Sequence, residues 1–311
     1  MIAVTGASGF VGQALCSSLL AQGRAVRPLL RAAAPTTAHS ATVADIGPDT
    51  DWSTALSGVS AVVHCAARVH VMQDSAGDPM AAFRRVNVAG TRRLAQQATA
   101  LGVRRLVYLS SLKVHGEHTP PGTRFSVQDA PHPLDAYGLS KWEAEQALWD
   151  VARDTGLEVV VVRPPLVYGR GVKANFLSLM RLVARGVPLP LGLVDNRRSL
   201  LALDNLTDLL TRCLDQPEAA GQTFLASDNH DLSTAELIRL LAAAMGRPTR
   251  LLPVPVAWLH TAGRLTGRQG QVERLTGSLQ VDIGHTTKVL DWTPRLTVEQ
   301  GLRMAVQDVV K

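Results

Sequence analysis

Tyr137 and Lys141 stand four residues apart in Asp135-Ala136-Tyr137-Gly138-Leu139-Ser140-Lys141, a segment that reads as the start of a helix. That spacing puts a phenol and an ammonium on one helix face. An ammonium beside a phenol stabilises the phenolate and is expected to lower the tyrosine pKa from about 10. A tyrosine tuned in this way passes a proton to or from a carbinol oxygen while a nicotinamide takes or gives hydride. Taken alone, a Tyr-x-x-x-Lys spacing is common by chance and reads as solvated surface. Ser110 and Ser111 follow a strand-like run, Arg105-Leu106-Val107-Tyr108-Leu109. The carboxyl ends of parallel strands form a ligand crevice, so Ser111 is a candidate donor to a substrate carbonyl oxygen. A plain Ser/Thr turn is the alternative, and it is stronger for Ser110.

The elements that must position these groups begin with Thr5-Gly6-Ala7-Ser8-Gly9-Phe10-Val11-Gly12, directly after the apolar run Ile2-Ala3-Val4. Gly6 permits a tight turn off the strand, Gly9 lets backbone approach a pyrophosphate, and Gly12 lets the helix pack on the sheet. The helix N-terminus that follows offers free N–H groups and partial positive charge to an anion. After the second strand, Val26–Leu30, no acid stands ready for a ribose 2′-hydroxyl. Arg31 is placed instead to meet a 2′-phosphate, which favours NADP(H) and leaves NAD(H) possible; the alternative is a solvated loop arginine.

Apolar runs at Ala61–His64, Arg105–Leu109 and 159–162 alternate with helical periodicity over 10–22, 80–101 and 135–154. Such continuous apolar strands separated by helices predict a parallel sheet covered on both faces. Beyond residue 165 proline and glycine become frequent and helices short. The predicted division is a dinucleotide-binding domain over 1–165 and a substrate domain over 166–311, with 199–226 returning to the sheet.

The 311 residues include 46% hydrophobic and only 4% aromatic side chains. That excludes global disorder and disfavours base-stacking nucleic-acid folds. The net charge of +6 is carried almost wholly by arginine. It reads as composition bias, or as arginines that hold phosphates. No basic run is long enough for a nucleic-acid patch, so no nucleic-acid partner is expected. No stretch of about 18 apolar residues and no secretory leader is seen, so no membrane partner and a cytoplasmic location are expected. Cys16, Cys65 and Cys213 are too scattered for a disulfide framework or zinc site and read as reduced core thiols. His115, Glu117, His118 and His132 lack metal-ligand spacing and read as a solvated loop, so no metal is expected.

Together these motifs resemble the extended short-chain dehydrogenase/reductase family, in its nucleotide-sugar epimerase/dehydratase/reductase branch, over nearly the whole chain. The resemblance implies an α/β fold: a Rossmann-type doubly wound parallel sheet with a smaller mixed α/β C-terminal substrate domain. It implies Ser111, Tyr137 and Lys141 as the catalytic trio. Gly6, Gly9, Phe10, Val11 and Gly12 would hold the cofactor, with Arg31, and Asp45 and Ile46 would meet the adenine end. Ala66, in His64-Cys65-Ala66-Ala67, would pass under the cofactor. Asn87, in Asn87-Val88-Ala89-Gly90-Thr91, and Pro164, in Arg163-Pro164-Pro165-Leu166-Val167-Tyr168-Gly169, belong to two further family segments. Lys113, Asn175, Arg198 and Arg274 are the implied contacts of a nucleotide-diphosphate sugar, expected to be UDP-linked. A homodimer through the helices near 80–101 and 137–153 is also implied.

Departures from the family pattern narrow the reaction. Sugar dehydratases of this branch carry Asp-Glu directly after the catalytic hydroxyl, where this chain has Leu112 and Lys113. Arg31 in place of an acid, and Ser110-Ser111-Leu112-Lys113-Val114-His115-Gly116-Glu117, resemble reductases of 4-keto-6-deoxy sugar nucleotides. Reduction of such a 4-keto sugar is therefore the expected activity. The alternatives are a UDP-sugar 4-epimerase with bound NAD and, from another class, a non-catalytic NADP-binding regulator.

Overall fold

The computed structural model describes residues 1–31, 40–43, 45–69 and 78–309. The chain opens with β1 (Ile2–Thr5), whose four residues are all buried, and turns at Gly6 into α1 (Phe10–Ala21). β2 (Val26–Leu30), the short β3 (Ala41–Thr42), α2 (Ser53–Leu56) and β4 (Ala61–His64) follow. The single helix predicted over 80–101 is realised in three pieces. α3 (Pro79–Phe83), capped by Asp78, passes through a π-helical turn (Arg84–Ala89) into α4 (Gly90–Ala100). Turns of this kind often mark functional sites.

β5 (Arg105–Leu109), a 3₁₀ turn (Leu112–Val114), α5 (Ala136–Thr155) and β6 (Glu158–Arg163) complete the first half. α5 starts where Asp135 accepts from the Gly138 amide at 2.6 Å and stops at Gly156, which is left-handed at φ +76°. β7 (Leu166–Tyr168), α6 (Ala174–Ala184), β8 (Leu200–Ala202), α7 (Leu203–Asp215) and β9 (Thr223–Leu225) come next. α8 (Thr234–Ala244), α9 (Val256–Leu265), α10 (Gln269–Thr276), α11 (Gly284–Leu290) and α12 (Val298–Ala305) end the described chain.

Seven strands form one sheet in the order β3-β2-β1-β4-β5-β6-β9, all parallel. β1 lies inside the sheet, third in that order, and the order reverses between it and β4. That reversal makes the crevice at the carboxyl ends of β1 and β4 the place where a ligand binds in such sheets. β9 adds to the far edge by pairing with β6, so segment 199–226 contributes a strand and α7 to this layer. The two faces differ in what covers them. One packs Leu106, Tyr108 and Val161 under Leu94, Ala98 and Leu148 of α4 and α5. The other packs Val4, Val107 and Val160 under Leu15 and Leu19 of α1 and Leu206 and Leu210 of α7, and Leu279, Val281 and Trp292 join it. Thus residues 279–292, from the C-terminal half, share a core with β1. A third cluster gathers α6, α8 and α12 around the two-stranded β7–β8 pair, which sequence periodicity does not predict.

Candidate active site

Gly6 holds φ +66°, a conformation in which glycine carries no Cβ penalty, and a Cβ there would stand 2.8 Å from the Ala66 amide. At Gly12 a Cβ would stand 2.2 Å from the Gly6 carbonyl oxygen. The loop is therefore closed tightly on itself and on the segment after β4. The Gly9 amide donates to Gly6 at 2.8 Å, and no side chain caps the N-terminus of α1. Uncapped amides beside a turn bounded by Gly6 and Gly9 fit a dinucleotide pyrophosphate. Phe10 packs toward the third cluster and Val11 toward the α1–α7 face.

The residues expected at the adenine end lie just after β2 and β3. Arg31 is exposed just beyond β2, and Asp45 is exposed with its Oδ1 accepting from the Ile46 amide at 2.9 Å. Gly90 meets the Ile46 side chain so closely that a Cβ would fall 2.6 Å from it. On the floor, Thr5 bonds His64 Nδ1 at 2.6 Å and accepts from the Ala66 amide at 3.2 Å, while His64 Nε2 reaches Thr91 at 3.0 Å. Burial, with Lys141 adding to it, pulls His64 down to about 3, so it stays neutral. Asn87 is buried in the π-helical turn. Its amide bridges the Arg68 backbone to Ser140 on α5 at 2.9 Å.

α5 carries Tyr137 and Lys141 toward the end of β5. The Lys141 ammonium is buried, donates to the Leu109 carbonyl at 2.7 Å and lies 4.0 Å from the Tyr108 ring centroid. Burial draws it down to about 7, against Glu145 and Cys65, which hold it up. The Tyr137 phenol packs edge-on against Phe83 at 6.3 Å. Burial pushes it up to about 12, and the Asp135 carboxylate adds to the rise. The expected lowering of this phenol by Lys141 is therefore not found. The ammonium is spent on Leu109 and Tyr108, and burial disfavours the phenolate. Ser111 is half-buried, with its Oγ accepting from the Lys113 amide at 3.2 Å. Ser110 is buried and donates to Glu145.

Sequence reasoning missed the group beneath this trio. Glu145 is buried on α5 and accepts from Arg163 Nε at 3.0 Å. Arg163 Nη1 donates to His115 Nε2 at 2.7 Å, and His115 stacks on Phe125 at 5.4 Å. His115 thus lies inside the protein and not in a solvated loop, as expected from sequence. Burial first, then Arg163, lowers it to about 4. The signal was present: Tyr137, Lys141 and Glu145 repeat at intervals of four and so share one face of α5.

Lys113, expected on the substrate, donates instead to Asp135 and to Glu117 at 2.7 Å. Burial opposes its charge, but the two carboxylates outweigh it and raise its pKa. Pro164 is buried, and its carbonyl accepts from the Leu112 amide at 2.9 Å. Leu112 is buried as well, which leaves no acid or base where the dehydratases carry one. Arg198 donates to the backbone carbonyls of Arg274 at 3.2 Å and Gly277 at 3.0 Å, so its guanidinium reaches the main chain of α10 at Arg274. Asn175 is exposed in the first turn of α6, next to Ala174 at φ +55°.

The sequence model of the NAD dependent epimerase/dehydratase family matches residues 2–226. A UDP-glucose 4-epimerase of Vibrio cholerae is 48% identical over 309 residues, covering 98% of this chain and 94% of that one. The solved structure of MoeE5 with UDP-glucuronic acid and NAD is 26% identical at TM-score 0.78, covering 98% of this chain and 97% of that one. A UDP-glucuronic acid 4-epimerase of Bacillus cereus in complex with NAD has the same fold, with TM-score 0.78 and 19% identity over 100% of this chain and 99% of that one. Both structures hold NAD, so the NADP preference read from Arg31 finds no support in them. The parallel sheet, the glycine turn at its switch point and the family match over 2–226 agree: this chain belongs to the NAD dependent epimerase/dehydratase family and is an enzyme.

Proposed function

We propose that the protein is an NAD-dependent 4-epimerase of a UDP-hexose. The observation that carries this reading is the 48% identity, over 98% of the chain, to a UDP-glucose 4-epimerase. It displaces the 4-keto reduction expected from the loop after Ser111. NAD, when bound, would supply reversible hydride acceptance. Tyr137, protonated in the protein without cofactor, would have to give up that proton on loading with NAD; as phenolate it would then take the proton of the C4 hydroxyl and return it to the same oxygen after the sugar has presented its other face. Ser111 would hold that oxygen by a hydrogen bond, and Lys141, which gives one hydrogen to Leu109, would give another to the nicotinamide ribose. Gly6, Gly9 and Gly12 would admit the pyrophosphate, and Arg198 and Arg274 are the proposed contacts of the substrate diphosphate, because a guanidinium suits that anion.

The test is incubation of the purified protein with UDP-glucose or UDP-galactose and no added cofactor. Interconversion of the two, with NAD released on denaturing the protein, supports the reading. A requirement for stoichiometric NADPH, with a 4-keto sugar nucleotide reduced and no interconversion, overturns it in favour of a reductase. A homodimer through α4 and α5 is the assembly proposed with it, to be read by sedimentation equilibrium.

A further inference from the structure

α9 and α10 form a helical hairpin that contributes little to the core. Gly263 is the one fully buried residue of α9, and α10 has none. Val256 and Leu259 anchor α9 against the third cluster. The opposite face carries Trp258, 70% exposed, and Leu265, 83% exposed. These are seven residues apart, with exposed Thr261 and Ala262 between them, so they form one stripe along the helix. Leu193 and Leu252 are also exposed, and Gly192 and Leu252 are joined by a backbone hydrogen bond of 2.9 Å. A lone exposed leucine needs no explanation, but a tryptophan and several leucines gathered at one corner do.

The same corner is strongly basic. Residues 246–277 hold five arginines and one glutamate, so they carry four of the chain's six net positive charges. Arg247, Arg250, Arg264, Arg268 and Arg274 are all exposed, and none makes a salt bridge among the described residues. An exposed apolar stripe ending in unpaired arginines has the chemistry of a helix lying in the headgroup region of an anionic bilayer. There tryptophan sits at the interface and each cation adds attraction.

We propose that the α9–α10 hairpin is a peripheral docking surface for an anionic lipid bilayer. Trp258 and Leu265 enter the acyl boundary, and Arg264 and Arg268 meet lipid phosphates. The expectation of no membrane partner came from the lack of a spanning segment, and a surface contact needs none. Because Arg198 donates to the Arg274 carbonyl of α10, this docking holds the candidate substrate arginines next to the bilayer.

Flotation of the full-length protein with phosphatidylglycerol-containing vesicles, against pure phosphatidylcholine vesicles, tests the proposal. Binding is expected on the anionic vesicles only, and it falls steeply with salt. The pairs Trp258→Ser/Leu265→Ser and Arg264→Ala/Arg268→Ala each reduce it by about tenfold or more while turnover of a soluble UDP-sugar is unchanged. Absence of binding to anionic vesicles, or variants that bind as the parent does, overturns it. A Trp258→Ser/Leu265→Ser pair that instead dissociates an oligomer, or raises KM for the sugar nucleotide with vesicle binding intact, assigns the stripe to a protein interface or a substrate cover and equally overturns it.

Discussion

In the proposed reaction proton transfer rests on two side chains, Tyr137 and Lys141, and both are displaced from their ordinary acidities by burial. The phenol is held at about 12, so it is protonated at neutral pH in the protein without cofactor and must lose that proton before it can accept one. Tyr137→Phe is expected to lower kcat by about a hundred- to ten-thousand-fold while leaving NAD bound, measured by epimerisation rate and by nucleotide released on denaturation. An unchanged rate would remove Tyr137 from the mechanism. Lys141 titrates near 7, below an ordinary lysine, so its ammonium is present below that pH and lost above it. Binding of NAD to protein stripped of cofactor should therefore weaken as pH rises from about 6 to about 8. Lys141→Met should bind weakly at both pH values, with the slope gone; calorimetric titration reads both effects.

At the scale of elements, α5 is the piece that must not shift, because it carries both groups. Its first turn abuts the loop after β5 so closely that a Cβ on Gly138 would fall 2.7 Å from the Lys113 carbonyl oxygen. Farther along, the buried pair of Glu145 and Arg163 ties α5 to the end of β6, and Ser110 ties it to the end of β5. A buried charge left without its partner is costly. Glu145→Ala is expected to cost about 3–5 kcal/mol of unfolding free energy. Coupled with Arg163→Met, the loss should be much smaller than the sum of the two singles, because no unpaired charge remains. Urea denaturation of the four proteins measures it, and strict additivity would show that the pair is not coupled. Elsewhere Arg105 performs a similar role, pairing with Glu158 and donating to the last carbonyls of α7, which binds β5 to the helix behind it.

For the whole molecule, the two buried neutral histidines set a limit on acid stability. His64 is held to about 3 and His115 to about 4, both below the ordinary histidine value of 6.5. An unfolded chain takes up these protons near 6.5, whereas the folded chain refuses them until the pH is far lower. The contribution of these two rings is therefore complete above about 6.5 and is lost as pH drops toward 4. The His115 shift alone corresponds to about 3 kcal/mol. Unfolding monitored from pH 7 to pH 4 should show a slope near two protons, and His115→Gln should reduce it by about one. A flat profile would mean that these rings are not buried neutral.

Much of this was written in the order of residues. β1, β4 and β5 could be read at their bounds because buried parallel strands are continuous apolar runs, and helix ends were marked by Asp135 and by glycines. The glycine spacing marked the tight turn from β1 into α1, and the tyrosine–lysine interval marked one helix face, because each depends only on neighbours along the chain. What the interval did not decide was where the ammonium points or how dry the phenol is. Those follow from Leu109, Tyr108 and Phe83, which tertiary packing brings in. The same holds for Lys113, whose charge is engaged by Asp135 from 22 residues away, and for residues 279–292, which share a core with β1 at the other end of the chain. Local order came from the sequence by itself; acidity, ion pairing and the joining of distant segments are set by desolvation and contact, and only the folded chain decides those.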